Sequence, residues 1–135
     1  MNTRFTVSLL LPFLAASLSA QRLELETSFF PDSLEATVHG ARDGSLVVLV
    51  LGLRETTIKL PGGQLLGVEP DLATGFVVAR GGPASTRVRL AKIANEIACF
   101  AQGVAVDPDM PLDEPGAIEV SAVQGLRIPP SPADR

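Results

Sequence analysis

The sequence predicts an all-β fold, an antiparallel β-sandwich of short strands. Apolar and polar residues alternate with period two at 22–29, 34–39 and 118–121, the pattern of half-buried strands. Twelve Gly and eleven Pro cut the chain into short pieces, too short for most helices. Between two such breaks, Ser45–Leu51 is almost wholly Leu and Val, as expected of a strand covered on both faces.

Residues 1–20 read as a secretory signal peptide rather than a membrane anchor. Arg4 is the positive charge of a short leading region. Phe5 to Ala16 form an apolar stretch interrupted by Thr6, Ser8 and Pro12. That stretch is short of the ~20 apolar residues a spanning helix needs. Small residues follow, and cleavage after Ala20 leaves Gln21 first. Cleavage after Ser19, with Ser17 at the −3 position, is the alternative. The expected location is therefore the periplasm or the medium, with no anchor left after processing.

The mature chain begins with a strand. Leu23, Leu25, Thr27 and Phe29 alternate with Arg22, Glu24, Glu26 and Ser28. Pro31-Asp32-Ser33 breaks it, and Leu34, Ala36 and Val38 begin the next strand against Glu35, Thr37 and His39. Gly40 to Gly44 is a turn cluster ending in Asp43-Gly44, a dipeptide typical of hairpins. After the apolar strand at 45–51, short strands are expected at 56–60, 64–68, 75–80 and 86–90, separated by Gly and Pro. Ile118 and Val120, then Leu126-Arg127-Ile128, close the series. The expected domain is 21–128, and Pro129-Pro130-Ser131-Pro132 opens an extended, disordered tail over 129–135.

Residues 86–102 carry a competing signal. Leu90, Ile93, Ala94, Ile97 and Ala101 recur at helical spacing, with Ser85 placed to cap the start and Gly103 the end. The alternative fold is thus α+β with one amphipathic helix over 86–102. Read as strands, the same stretch gives 86–90 and 97–106 around a loop at Ala94-Asn95-Glu96. Local periodicity leaves both open.

Three pieces carry a resemblance: Leu60-Pro-Gly-Gly-Gln-Leu-Leu66, Phe100-Ala-Gln-Gly-Val-Ala-Val-Asp-Pro108 and Ser121-Ala-Val-Gln-Gly-Leu-Arg-Ile128. With their order and spacing, the chain resembles, over most of 22–128, an uncharacterised small module of secreted proteins of planctomycete-type bacteria. That module is often the last domain of a longer chain, and this chain would be the module alone. Phe100 stands where similar modules often have Tyr, and Val123 where they often have Asn. The resemblance implies a β-sandwich with strands at 86–90 and 97–106, and it implies no activity.

Composition excludes several functions. With 11 Lys+Arg against 15 Asp+Glu the net charge is −4, and loss of Arg4 with the leader makes it −5. A nucleic-acid binder needs the opposite balance. There is no Trp or Tyr on which to stack sugar rings, which counts against carbohydrate enzymes and carbohydrate-binding modules. Cys99 is the sole cysteine, so neither an internal disulfide nor a Cys-rich zinc site is available. Its apolar surroundings, Ile97 to Ala101, suit a buried thiol better than an intermolecular bridge. His39 is the sole imidazole. Asp32, His39 and Ser45 could be drawn as a hydrolase triad, but no Gly-x-Ser-x-Gly elbow supports one, and a surface histidine is the simpler reading. Gly81-Gly82-Pro83 lacks the Lys of a phosphate cradle.

One stretch hints at a ligand. Asp107, Asp109, Asp113 and Glu114 lie within eight residues on a Pro-rich loop. Hard carboxylate oxygens on an extracellular loop suit Ca²⁺, though the EF-hand spacing is missing and Asp-Pro also starts ordinary turns. The expected function is therefore a secreted, non-catalytic structural or protein-interaction module with an unidentified protein or cell-envelope partner. A calcium- or ligand-binding module using 107–114 comes second and a hydrolase third. No cofactor is expected beyond that candidate calcium.

Overall fold

The computed structural model describes residues 23–75 and 77–131. The expected leader at 1–20, and the last four residues of the expected tail, lie outside the described residues. Eleven strands occur among those described: β1 (Glu24–Phe30), β2 (Ser33–His39), β3 (Leu46–Gly52), β4 (Glu55–Lys59), β5 (Leu65–Val68), β6 (Leu72–Ala73), β7 (Val77–Val78), β8 (Ala84–Arg89), β9 (Ile97–Val106), β10 (Ile118–Val120) and β11 (Gln124–Ile128). The one helical element among these residues is a 3₁₀ turn at Pro61–Gly63. The fold is all-β, as the period-two segments predict, and every strand pair is antiparallel.

Three layers result. A three-stranded sheet has the order β1-β2-β8. The central sheet pairs β3 with β9, sets β10 and then β11 along the far side of β9, and sets β6 and β7 along the far side of β3. A separate β4–β5 hairpin forms the third layer. One face of the central sheet packs on the three-stranded sheet. There Leu34 and Ala36 of β2 meet Leu49 and Leu51 of β3, Cys99 and Ala101 of β9, and Leu126 of β11. Val38 with Val47 and Ala105 extends this contact. On the opposite face, Leu66 and Val68 of the hairpin cover Val50, Val104, Ile118 and Val120.

This explains the unbroken apolar run of β3. Alternate side chains go to opposite faces, so Val47, Leu49 and Leu51 face one neighbouring layer and Val50 faces the other. Burying a leucine such as Leu34 or Leu49, neither more than 1% exposed, is worth about 2–3 kcal/mol relative to leaving it in water. On β9, Gly103 faces the three-stranded sheet beside Val38. A Cβ there would lie 2.9 Å from the Val38 side chain.

The helical spacing of 86–102 does not produce a helix. Ala84–Arg89 pairs along its whole length with β2, and Ile97–Val106 lies between β3 and the β10–β11 edge. A spacing of four, such as Ile97 to Ala101, also keeps two residues on one face of a strand. Cys99 between them is buried in the same cluster as Ala101, which is the strand period. The Asp43-Gly44 turn, with Gly44 at φ 88°, closes no hairpin: β2 and β3 belong to different sheets, and the turn carries the chain between them. At the C-terminal end Ser131 is tied to Ile93, accepting at Oγ from its N–H at 2.8 Å and donating from its own N–H to its carbonyl at 3.0 Å. No helix among the described residues is long and apolar enough to cross a membrane.

Candidate functional site

The edge of the central sheet holds the most distinctive local geometry. Val120 pairs with Val104, and Gln124 pairs with Ala101. Three residues, Ser121, Ala122 and Val123, therefore oppose two, Gln102 and Gly103. This extra residue is a β-bulge, which reverses the faces of the strand and bends it. The reversal is visible in the core. Ile118 and Val120 point to the hairpin layer, whereas the even-numbered Leu126 and Ile128 point to the three-stranded sheet.

Buried polar groups hold the bulge. Ser121 N–H donates to the Gly103 carbonyl, and Gly103 N–H donates to Ser121 Oγ, both at 2.9 Å. Ser121 Oγ in turn donates to the Ala122 carbonyl at 3.0 Å. Gln102, 3% exposed, donates from Nε2 to the Ser121 carbonyl at 2.7 Å and accepts at Oε1 from Gly67 N–H at 2.8 Å. It thereby fastens the β4–β5 hairpin to the bulge. Val123 occupies the space a Cβ at position 67 would need, 2.6 Å away, which accounts for Gly67.

Beside the bulge lies β1, an edge strand whose ladder partner among the described residues is β2 alone. The edge of β1 and the bulge flank an open groove of about 590 Å³. Leu23, Leu25 and Val123 supply its apolar lining. Glu24 and Glu26, both exposed, supply carboxylates, and among the described residues no Lys or Arg lines it. His39 also reaches the groove, and its Nε2 donates to Glu26 Oε1 at 2.9 Å. Gln124 bridges the two walls by donating from Nε2 to Thr27 Oγ1 at 3.2 Å. Its Oε1 is shielded from solvent without a hydrogen-bond partner.

A second, smaller concavity of about 370 Å³ lies on the outer face of the three-stranded sheet, lined by Asp32, Ser33, Arg87 and Arg89. Arg87 is paired with Glu35 at 3.4 Å and stacks 4.6 Å above the Phe30 ring. The buried Ser33 hydroxyl has no partner. The lining holds one acid, Asp32, and two guanidinium groups, of which Arg87 is already paired with Glu35.

The sequence candidates fare differently. Asp107, Asp109, Asp113 and Glu114 occupy the β9–β10 connection as successive turns, with Met110 N–H donating to the Asp107 carbonyl and Glu114 N–H to the Pro111 carbonyl. Asp107 Oδ1 accepts from Asp109 N–H at 3.0 Å, and its Oδ2 lies 3.6 Å from Arg42. Asp109, Asp113 and Glu114 are exposed. Among the described residues no three His, Cys, Asp or Glu side chains are grouped to hold a metal ion. Asp32, His39 and Ser45 do not converge: Asp32 lines the smaller concavity, His39 bonds Glu26, and Ser45 is buried. Cys99 is buried, and desolvation raises its pKa above the ordinary thiol value, which leaves it a poor nucleophile. Sequence reasoning missed the groove, although Gln124 at the start of the last strand is a polar residue at an inward position.

Compared with known family models, curated proteins and solved structures, the chain has no match.

Proposed function

We propose that this is a secreted, non-catalytic interaction module whose working surface is the groove between β1 and the β10–β11 bulge. The observation that carries the reading is the open β1 edge beside an apolar-lined groove. An edge strand offers a row of main-chain donors and acceptors to an extended segment of another protein, and a neighbouring groove takes its side chains. The resemblance to a module of secreted bacterial proteins and the N-terminal leader read from the sequence support the secreted location alone.

The test is a selection of random peptides displayed on phage against the purified protein. Ala122 is exposed and lines the groove, so Ala122→Trp plugs the groove without touching the core. Selected peptides are expected to compete with one another and to lose binding to the A122W variant. Peptides that bind the plugged protein equally well would overturn the assignment of the surface.

A further inference from the structure

The groove beside β1 has a one-sided chemistry. Among the described residues its acidic side chains are Glu24 and Glu26, and none of its lining residues is Lys or Arg. His39 is already engaged by Glu26. The one buried side-chain polar atom without a partner among its described lining residues, Gln124 Oε1, is an acceptor. The described lining of the groove therefore carries an excess of carboxylates, in a chain whose net charge is −4.

We infer that the groove takes an extended segment of a partner protein in which cationic and apolar residues alternate, its Lys or Arg side chains lying beside Glu24 and Glu26 and its apolar ones on Leu25 and Val123. This rests on the docking reading above and adds the chemistry of the partner. Glu24 and Glu26 are two residues apart on the exposed face of β1. A strand added alongside has the same period of two, so its alternate side chains meet those carboxylates in turn. The intervening side chains turn to the other face, where Leu25 lies half-buried. The same charges disfavour a second copy of this chain in the registers that set Glu24 and Glu26 of one copy opposite those of the other. They also repel anionic polymers.

The test uses three capped nine-residue peptides, alternating Lys with Val, Ser with Val, and Glu with Val. Each is titrated into ¹⁵N-labelled protein and followed by amide chemical shifts. The Lys peptide is expected to shift Glu24–Phe30 and Ala122–Gln124, and to weaken as salt is raised. It should bind about tenfold more tightly than the Glu peptide, the size of effect that two rim ion pairs provide. The double variant Glu24→Lys, Glu26→Lys, at exposed positions, should reverse that order. Equal binding of all three peptides would overturn the charge inference and leave the docking reading standing. If no peptide shifts β1 or the bulge, both fall. Shifts confined to the other acidic segment, 107–114, would show unspecific attraction and also overturn the inference.

Discussion

Replacing Gln102 with Leu removes the fastening between the hairpin and the bulge while keeping an apolar side chain of similar size. Gln102 makes two hydrogen bonds, from Gly67 N–H at 2.8 Å and to the Ser121 carbonyl at 2.7 Å. The β4–β5 register skips Gly67 at an irregularity between Glu55 and Ile58, so no ladder partner stands ready to take over its N–H. The substitution therefore leaves a half-buried donor and a buried acceptor without partners. Each costs about 1–3 kcal/mol, and the added apolar contact of Leu returns part, for a net loss of roughly 2–5 kcal/mol. At an unfolding entropy of about 2.1 cal/mol/K per residue, a domain of this size loses roughly 4 °C per kcal/mol, hence about 8–20 °C in Tm. The assay is a thermal melt by circular dichroism, paired with amide hydrogen exchange. The Gly67 amide should lose its protection more than the amides of β3 and β9. A Tm within about 3 °C of the parent protein, or unchanged protection at Gly67, would refute the assigned role of Gln102.

The other expectations concern separate parts of the molecule. A methyl group at Gly52 would run into the Glu69 carbonyl oxygen, whereas one at Gly75 would meet open space; Gly52→Ala should cost about 3 kcal/mol or more, and Gly75→Ala should stay within about 0.5 kcal/mol by urea denaturation. Cys99 should resist a thiol reagent in the native state and react on unfolding, since it is buried. Its folded pKa is raised by desolvation, so the unfolded thiol ionises first, and the Cys99→Ala variant should lose less stability than the parent as pH rises through the ordinary thiol range. Melts in millimolar Ca²⁺ and in EDTA should coincide, because Asp107, Asp109, Asp113 and Glu114 are not gathered around one point; a midpoint raised by calcium would restore the ion to that loop. His39→Ala should change stability by less than about 0.5 kcal/mol, since the pair it makes with Glu26 is largely exposed.

Some of the molecule can be read directly from local sequence, and the reason is geometric. In a strand each residue faces the side opposite its neighbours, so one buried face writes an alternating pattern and two buried faces write an apolar run. Leu25, Leu34, Ala36 and Val38 follow the first rule, and 45–51 follows the second. Gly40, Gly44 and Pro61-Gly62-Gly63 mark turns because glycine tolerates positive φ and proline leaves the ladder without a donor. The two-residue strands β6 and β7 leave too little pattern to be distinguished from loops.

The sequence by itself determined the all-β class, most strand positions and the double burial of β3, because these depend on each residue's relation to its near neighbours. Only the tertiary structure decided that 84–89 and 97–106 are strands rather than parts of a helix, because Ile97 and Ala101 fit either period and the ladders with β2 and β3 settle the choice. It likewise decided that Asp43-Gly44 crosses between sheets. The groove belongs to the same class of fact. Its walls come from 23–26, from His39 and from 122–124, segments brought together by pairing across nearly the whole chain, and one inserted residue at 121–123 turns Gln124 towards Thr27. No local pattern encodes that meeting, since the strand pairing that creates it is a long-range property of the fold.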